Sequence, residues 1–245
     1  MSQLPLFYIP ELVNVGVLEI SGDTAHHIGS VLRMKSGEEL RLSDGAGNFA
    51  DAVIVEVNKK FVSARVENIS HQSVTNPRLC VVQAIPKSDR LKETLELLVE
   101  VGVNEIIPWA AKRSIGKFPE DGELKWSNAI RTAGIQARRV NIPTLHPVKK
   151  LSEIIQLVGP NDHIFICHES AQEKISKCVS GIKNFADASR IFVIIGPEGG
   201  VSEEEIETFS ALPQSHLVSL GEIVFRSAHA GIAAFSALQM ALGRW

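Results

Sequence analysis

Five consecutive apolar residues, Ile191-Phe192-Val193-Ile194-Ile195, stop at Gly196-Pro197-Glu198-Gly199-Gly200. That junction limits what the chain can fold into more than any other stretch. An unbroken run of β-branched and aromatic residues reads as a strand buried on both faces. Ser202 followed by Glu205 has the spacing of a capping box, so a helix begins there. Strand, tight glycine turn and helix in succession place the turn at the carboxyl edge of a sheet, where open α/β sheets bind ligands.

The chemistry of the turn narrows the ligand. Glycines permit positive φ and close approach of backbone to a ligand. A helix N-terminus ordinarily attracts anions, but Glu198, Glu203, Glu204 and Glu205 crowd this one, and no Gly-Lys-Ser/Thr follows. The turn is therefore no P-loop; it suits an uncharged or cationic ligand held by backbone groups. An ordinary βα connection before a well-capped helix carries the same residues, so the turn alone leaves both readings open.

The 245 residues suit one large domain or two ordinary ones. No run of about eighteen apolar residues exists, and the start MSQLPLFYIP lacks the basic and apolar segments of a signal peptide, so neither a membrane span nor a leader is expected. Cys80, Cys167 and Cys178 have neither disulfide nor metal spacing, and two of them sit in apolar runs, which points to buried thiols in a reducing cytoplasm. A net charge of −3 gives no global basic footprint, so any nucleic-acid contact is local.

Residues 1–72 alternate short apolar runs with turns. Val15–Ile20, Glu39–Leu42, Phe49–Val57 and Phe61–Ile69 read as strands, with a helical turn over Thr24–Leu32, which together suggest a small β-barrel. Residues 73–78, with Asn76-Pro77, read as a linker. From residue 79 to 245 strands and helices alternate. Strands are expected at Leu79–Ile85, Glu105–Trp109, His163–Cys167, Ile191–Ile195 and Leu217–Ser219. Helices are expected from Asp89, as its cap, to Val101, and over Leu124–Arg138, Leu151–Val158, Gln172–Ile182 and Ser227–Leu242. That order predicts an α/β domain with a mostly parallel sheet covered on both faces. The last helix is apolar nearly all round and needs burial on several sides. Its small residues suit a partner helix in a homodimer, while a core helix in a monomer is the competing reading.

Basic residues recur in loops after strands: Lys87 and Arg90 in PKSDR, Arg113 and Lys117 around Ser114, Arg138-Arg139 after a helix, and Arg226 before the last helix. Arginine forks match phosphate geometry. Arg226 sits where the helix dipole disfavours a cation, which makes mere decoration a poor explanation for it. No nucleophile–base–acid triad and no metal-ligand spacing is visible.

Together these pieces resemble the bacterial 16S ribosomal RNA uridine-N3 methyltransferases of the SPOUT superfamily. The matching segments are HHIGSVLRMKSGEEL, PKSDRL, EVGVNEIIPWAAKRS, QARRVNIP, IIGPEGGVSEEE and LGEIVFR, in order over nearly the whole chain. The resemblance implies a PUA-like N-terminal β-barrel (1–72) that helps hold RNA and a SPOUT domain (79–245) with a deep trefoil knot. It also implies a homodimer that acts on 16S rRNA in the small ribosomal subunit, while the sequence itself leads to the expectation of a cytoplasmic protein with no membrane and no metal. The resemblance carries S-adenosylmethionine onto His168, Glu169, Ile195, Gly196, Glu198, Gly199, Leu220, Gly221, Ile223, Val224 and Phe225, consistent with a turn that suits a sulfonium. RNA contacts fall on Arg33, Lys35, Lys87, Arg90, Arg113, Arg138 and Arg139.

The family commonly reads Leu-Arg-Thr-Glu-Thr where this chain has Phe225-Arg226-Ser227-Ala228-His229. The arginine is retained and the acid is gone. Ser227 keeps a hydroxyl able to cap the last helix, and His229 is a candidate substitute for the carboxylate. Glu96-Leu97 also replaces a usual Gln-Lys pair. Methyl transfer to N3 requires loss of the imide proton, and Arg226 is the candidate for stabilising the uracil anion. A related methyltransferase acting on another RNA such as transfer RNA, and a non-catalytic RNA-binding assembly protein, remain as alternatives.

Overall fold

The computed structural model describes residues 4–12 and 14–245; the first three residues of the start that was read for a leader lie outside them. The chain divides into two compact units: residues 1–74 with 134–142, and residues 75–133 with 143–245.

The first unit holds β1 (Leu6–Tyr8), β2 (Gly16–Ser21), α1 (Gly22–His26), a π-helical turn His27–Val31, β3 (Glu39–Ser43), β4 (Asn48–Val57), β5 (Phe61–Val66) and β6 (Ser70–His71). The sheet order is β1-β3-β4-β5-β2, with β6 on β4. The alternation visible in the sequence sets the inward face. Leu40 and Leu42, Ala50, Ala52 and Ile54, and Val62, Ala64 and Val66 meet Phe7 and Ile28 in one core. β1 was not expected from its three residues; it is fixed by parallel pairing with β3. The strand expected over Phe61–Ile69 ends at Val66, and β6 begins beyond it at Ser70.

Residues 134–142 were assigned by sequence to the C-terminal domain, yet they cluster with the N-terminal unit. Tyr8 Oη donates to the Arg139 carbonyl at 2.5 Å, Ser43 Oγ donates to the Val140 carbonyl at 3.1 Å, and Ile142 N donates to Gly45 O at 2.8 Å. Leu6, Tyr8 and Val140 form a small apolar cluster with Phe49, Ile135 and Ile142. Bonds onto distant main-chain carbonyls of this kind leave no periodic trace in sequence.

The second unit contains β7 (Arg78–Ala84), α2 (Leu91–Glu100), β8 (Glu105–Trp109), α3 (Gly122–Gln136, whose last residues belong to the first unit), β9 (Thr144–Leu145), α4 (Leu151–Ile155), β10 (His163–Cys167), α5 (Ile175–Gly181), β11 (Arg190–Ile195), α6 (Glu203–Ser210), β12 (Ser215–Val218) and α7 (Ser227–Ala241). The order is β12-β10-β11-β7-β8-β9, and every pairing in it is parallel. Consecutive residues of β7, β8 and β11 are buried, so both faces are covered. Each buried Ile or Phe contributes roughly 1.5–3 kcal/mol. The order reverses between β7 and β11, the topological switch point at which such sheets open a crevice.

α2 begins after Arg90 with no side-chain cap, so Asp89 is not the cap; a Lys87–Arg90 turn, with Arg90 N on Lys87 O at 2.9 Å, starts the helix instead. α7 packs on α2, α5 and β11. A Cβ at Gly231 would come within 2.7 Å of Leu98 Cδ2, so this small residue of the last helix serves contact with α2. Among the described residues no helix is long and apolar enough to cross a membrane.

Candidate active site

Loops following β7, β10, β11 and β12 all leave the carboxyl edge of the sheet. Residues from them and from the first turns of α2 and α7 line a cleft of about 550 Å³, within the range of small-molecule sites. Of the residues expected around a cofactor, His168, Glu169, Ile195, Gly196, Glu198, Val224 and Phe225 line it, together with Arg226. Leu220, Gly221 and Ile223 line a smaller recess of about 80 Å³ that shares His168, Glu169, Val224 and Phe225 with the cleft. Gly199 lines neither: a Cβ there would lie 3.1 Å from the Arg113 carbonyl, so it backs onto the Arg113 loop. Gly200 faces the cleft in its place.

The glycine turn is closed by Gly200 N donating to Pro197 O at 2.9 Å. Gly200 has φ +74, a left-handed conformation. A Cβ at Gly196 would strike Val201 Cγ2 at 2.6 Å. The capping box forms, Ser202 N and Oγ donating to Glu205 Oε2 at 3.0 and 2.8 Å, while Lys112 N donates to Glu205 Oε1 at 2.8 Å. Glu204 pairs with Lys112 Nζ. Glu203, Glu204 and Glu205 therefore do not face the ligand space, which corrects the expectation of a carboxylate crowd. Helix capping and the Lys112 loop consume two of them, and Glu198 alone of the four lines the cleft. The lining instead mixes both signs: Asp89, Glu93, Glu169 and Glu198 with Lys87, Arg90 and Arg226.

Ser227 does not cap α7 either. Arg226 is the N-cap residue, with no side-chain cap bond. Ser227 Oγ donates to the Gly196 carbonyl at 2.7 Å and accepts from Gln83 Nε2 at 3.2 Å. One buried hydroxyl thus ties β7, the glycine turn and the start of α7 together, which fixes where the exposed Arg226 stands.

Beside Arg226, His229 Nε2 lies 3.1 Å from Glu93 Oε1, and Arg90 Nη1 donates to Glu93 Oε2 at 3.1 Å. The bonds from His229 and then Arg90 hold the Glu93 carboxyl below its usual range. His168 turns Nδ1 toward Ser170 Oγ at 2.8 Å. Burial pushes the Cys167 thiol up to about 12, so it stays protonated and is no nucleophile.

Lys87 and Arg90 line the cleft. Arg113 is exposed beside the turn. Arg33, Lys35, Arg138 and Arg139 belong to the N-terminal unit. Arg33 and Arg138 hold φ 54 and 53, uncommon for a side-chain-bearing residue. Burial lowers the Arg139 guanidinium to about 10, still charged at neutral pH. Among the described residues no group of His, Cys, Asp and Glu is arranged to hold a metal.

Residues 74–239 match the model of an RNA methyltransferase domain, and residues 20–67 match that of an RNA methyltransferase PUA domain. The chain belongs to this RNA methyltransferase family. A ribosomal RNA small subunit methyltransferase E of Mycobacterium bovis is 30% identical over 98% of this chain and 93% of the relative. The Bacillus subtilis protein of that name is 26% identical over 89% and 88%. A crystal structure of a ribosomal RNA small subunit methyltransferase E from Neisseria gonorrhoeae, bound to S-adenosylmethionine, has a TM-score of 0.86 at 26% identity, covering 97% of this chain and 98% of that one. A Legionella pneumophila methyltransferase with bound S-adenosylmethionine has a TM-score of 0.82 at 31% identity, covering 98% of each chain.

Within this family member, sequence reasoning missed Glu93, Gly200, Val201 and the Gln83–Ser227 bond. Glu93 carried one usable signal, its place in the first turn of the helix opened by PKSDR. Gln83 carried a weaker one, a lone amide inside the apolar run of β7.

Proposed function

We propose that this protein transfers a methyl group from S-adenosylmethionine to N3 of a uridine in 16S rRNA within the small ribosomal subunit. The observation that carries the reading is the convergence of the glycine turn, the 220–225 loop and Arg226 on one cleft and its adjoining recess in a member of an RNA methyltransferase family. The residues fit the donor. A lining of mixed sign with glycine backbone suits a ligand bearing a carboxylate, an ammonium and a sulfonium, and a cleft of about 550 Å³ accommodates it.

Glu169 and Glu198 are assigned to the cationic side of the donor, with Ile195, Gly196, His168, Val224 and Phe225 around it and Leu220, Gly221 and Ile223 at the adjoining recess. Gly199 contributes by shaping the turn. When bound, the donor supplies an electrophilic methyl whose sulfur keeps the carbon–sulfur electron pair. The target base is unstacked to enter. Arg226 stabilises the charge that develops on a uracil carbonyl oxygen as N3 loses its proton, and holding N3 in line supplies much of the remaining acceleration. Lys87, Arg90 and Arg113 at this site, and Arg33, Lys35, Arg138 and Arg139 in the N-terminal unit, position phosphates.

The finer architecture follows the same reading: a closed PUA-like barrel over 1–72, a linker from 73 whose last expected residue, Arg78, opens β7 instead, and a trefoil knot in 79–245 formed where the loops after β11 and β12 meet. The exposed Ile223, Val224 and Met240 support a homodimer built on α7 and the loop before it. The compartment is the cytoplasm, and no metal takes part.

The test is incubation with labelled donor and either purified small subunits or naked 16S rRNA, with the modified nucleotide mapped by mass spectrometry. N3-methyluridine at one position in the subunit, at a rate well above naked RNA, is expected. Label on transfer RNA, or donor binding without any methylation, would overturn the reading.

A further inference from the structure

We infer that the His229 imidazole, held by Glu93, takes the N3 proton from the target uracil. The inference rests on the proposed uridine methylation and names the proton acceptor it requires.

The first turns of α2 and α7 both line the cleft, and the Glu93–His229 contact joins them. A carboxylate against Nε2 favours the tautomer with the proton on Nε2 and the lone pair on Nδ1. Arg90 occupies the other Glu93 oxygen at 3.1 Å, so the carboxylate stays ionised and anchored. His229 follows Arg226 by three residues at the start of α7, its N–H bonded to the Arg226 carbonyl at 2.9 Å. Both residues line the cleft, so the arginine and the imidazole are offered to one bound base: the first to a carbonyl oxygen, the second to N3–H.

The other titratable groups of the cleft do not compete. On the α2 side, Lys87 and Arg90 are already protonated, and Asp89 lies 3.7 Å from Arg90. Across the cleft, Arg226 is a cation, and the Glu169 and Glu198 carboxylates are far weaker bases than an imidazole. His168 has its Nδ1 engaged by Ser170. The step balances simply. The N3 proton moves to Nδ1, the electron pair left on N3 attacks the methyl carbon as the carbon–sulfur bond breaks and its pair stays on the sulfur, which leaves as a neutral thioether, and the imidazolium returns its proton to water after transfer. Glu93 acts through the imidazole and is a positioning residue.

Three measurements separate this role from a structural one. In the cofactor-free protein, nitrogen NMR of the histidines is expected to show His229 as the Nε2–H tautomer in wild type and a mixture in Glu93→Ala; an Nδ1–H tautomer in wild type would overturn the inference. In single-turnover methylation of small subunits, His229→Ala is expected to lose 10²–10⁴-fold in rate with donor affinity, by calorimetry, within a few-fold of wild type. Its rate should then rise about tenfold per pH unit with the ionised fraction of uracil, where wild type rises and levels off. Glu93→Gln should move the wild-type inflection to lower pH. Subunits reconstituted with 5-fluorouridine, whose N3–H is more acidic, should narrow the His229→Ala deficit at least tenfold. A deficit unchanged by the fluorine, a variant with the wild-type profile, or loss of donor binding in His229→Ala would each overturn the inference. Absence of methylation by the wild-type enzyme would instead overturn the proposed function, so the two failures are told apart.

Discussion

The two ends of the parallel sheet handle charge in opposite ways. At the amino end, buried carboxylates are paired with basic side chains. Asp162, 2% exposed, accepts from Arg190 Nη2 and from Gly159 N, both at 2.8 Å. Glu105 lies 2.9 Å from His146 Nε2 and 3.4 Å from Arg78. At the carboxyl end, Lys87, Asp89, Arg90, Glu198 and Arg226 are all exposed. A buried pair that loses one partner leaves an uncompensated charge, whereas exposed charges contribute about 0–1 kcal/mol to folding. The same strands are therefore locked at one end and chemically available at the other, and substitutions at the two ends should separate stability from activity.

Arg226→Ala gives the sharpest separation. Turnover is expected to fall about 10²–10³-fold, the scale of removing one charge-stabilising donor. Donor affinity by calorimetry and the urea midpoint should hardly change; weak donor binding would make Arg226 a structural residue and blur the contrast. Asp162→Ala at the opposite end should lower unfolding free energy by about 3 kcal/mol, the low end for a broken buried pair because Arg190 remains 26% exposed. Its kcat at a temperature where it is folded should match wild type.

Ser227→Ala lies between these extremes. It removes the bonds to Gly196 O and Gln83 Nε2 and should cost about 1–2 kcal/mol in urea unfolding. Donor affinity should fall as well, since the start of α7 loses its tie to the glycine turn.

The smallest effect is a pH dependence at the amino end. Burial lowers the pKa of His163 and His216, which lie 3.4 Å apart; Asp162 and Glu173 oppose the shift at one ring each. A folded pKa below the unfolded one means that protons bind preferentially to the unfolded chain. Stability should therefore fall as pH drops from about 6.5, and His216→Phe should flatten part of that fall between pH 7.5 and 5.5.

What the sequence displayed follows the same division. β10 appears at the expected residues, β11 begins one residue earlier than expected, and the Ser202–Glu205 box forms, because apolar runs and short-range caps are written in neighbouring residues. The loops that meet at the cleft were also legible, since each follows such a run. Contacts across 131 residues (Tyr8 to Arg139), 144 (Gln83 to Ser227) and 136 (Glu93 to His229) were not. Spacing carries no signal at that range. Ser227 looked like a cap because serine beside a helix start usually is one; here two buried acceptor and donor groups claim its hydroxyl instead. Glu203, Glu204 and Glu205 looked like ligand-facing charges because sequence shows their number and not their direction.

A crystal of the protein soaked with S-adenosylmethionine tests most directly whether the open end of the sheet is where the chemistry happens. The donor is expected between the Gly196–Val201 turn and the Leu220–Phe225 loop, with its methyl toward the side of the cleft held by Arg226. A donor bound away from these loops, with the cleft empty, would contradict it.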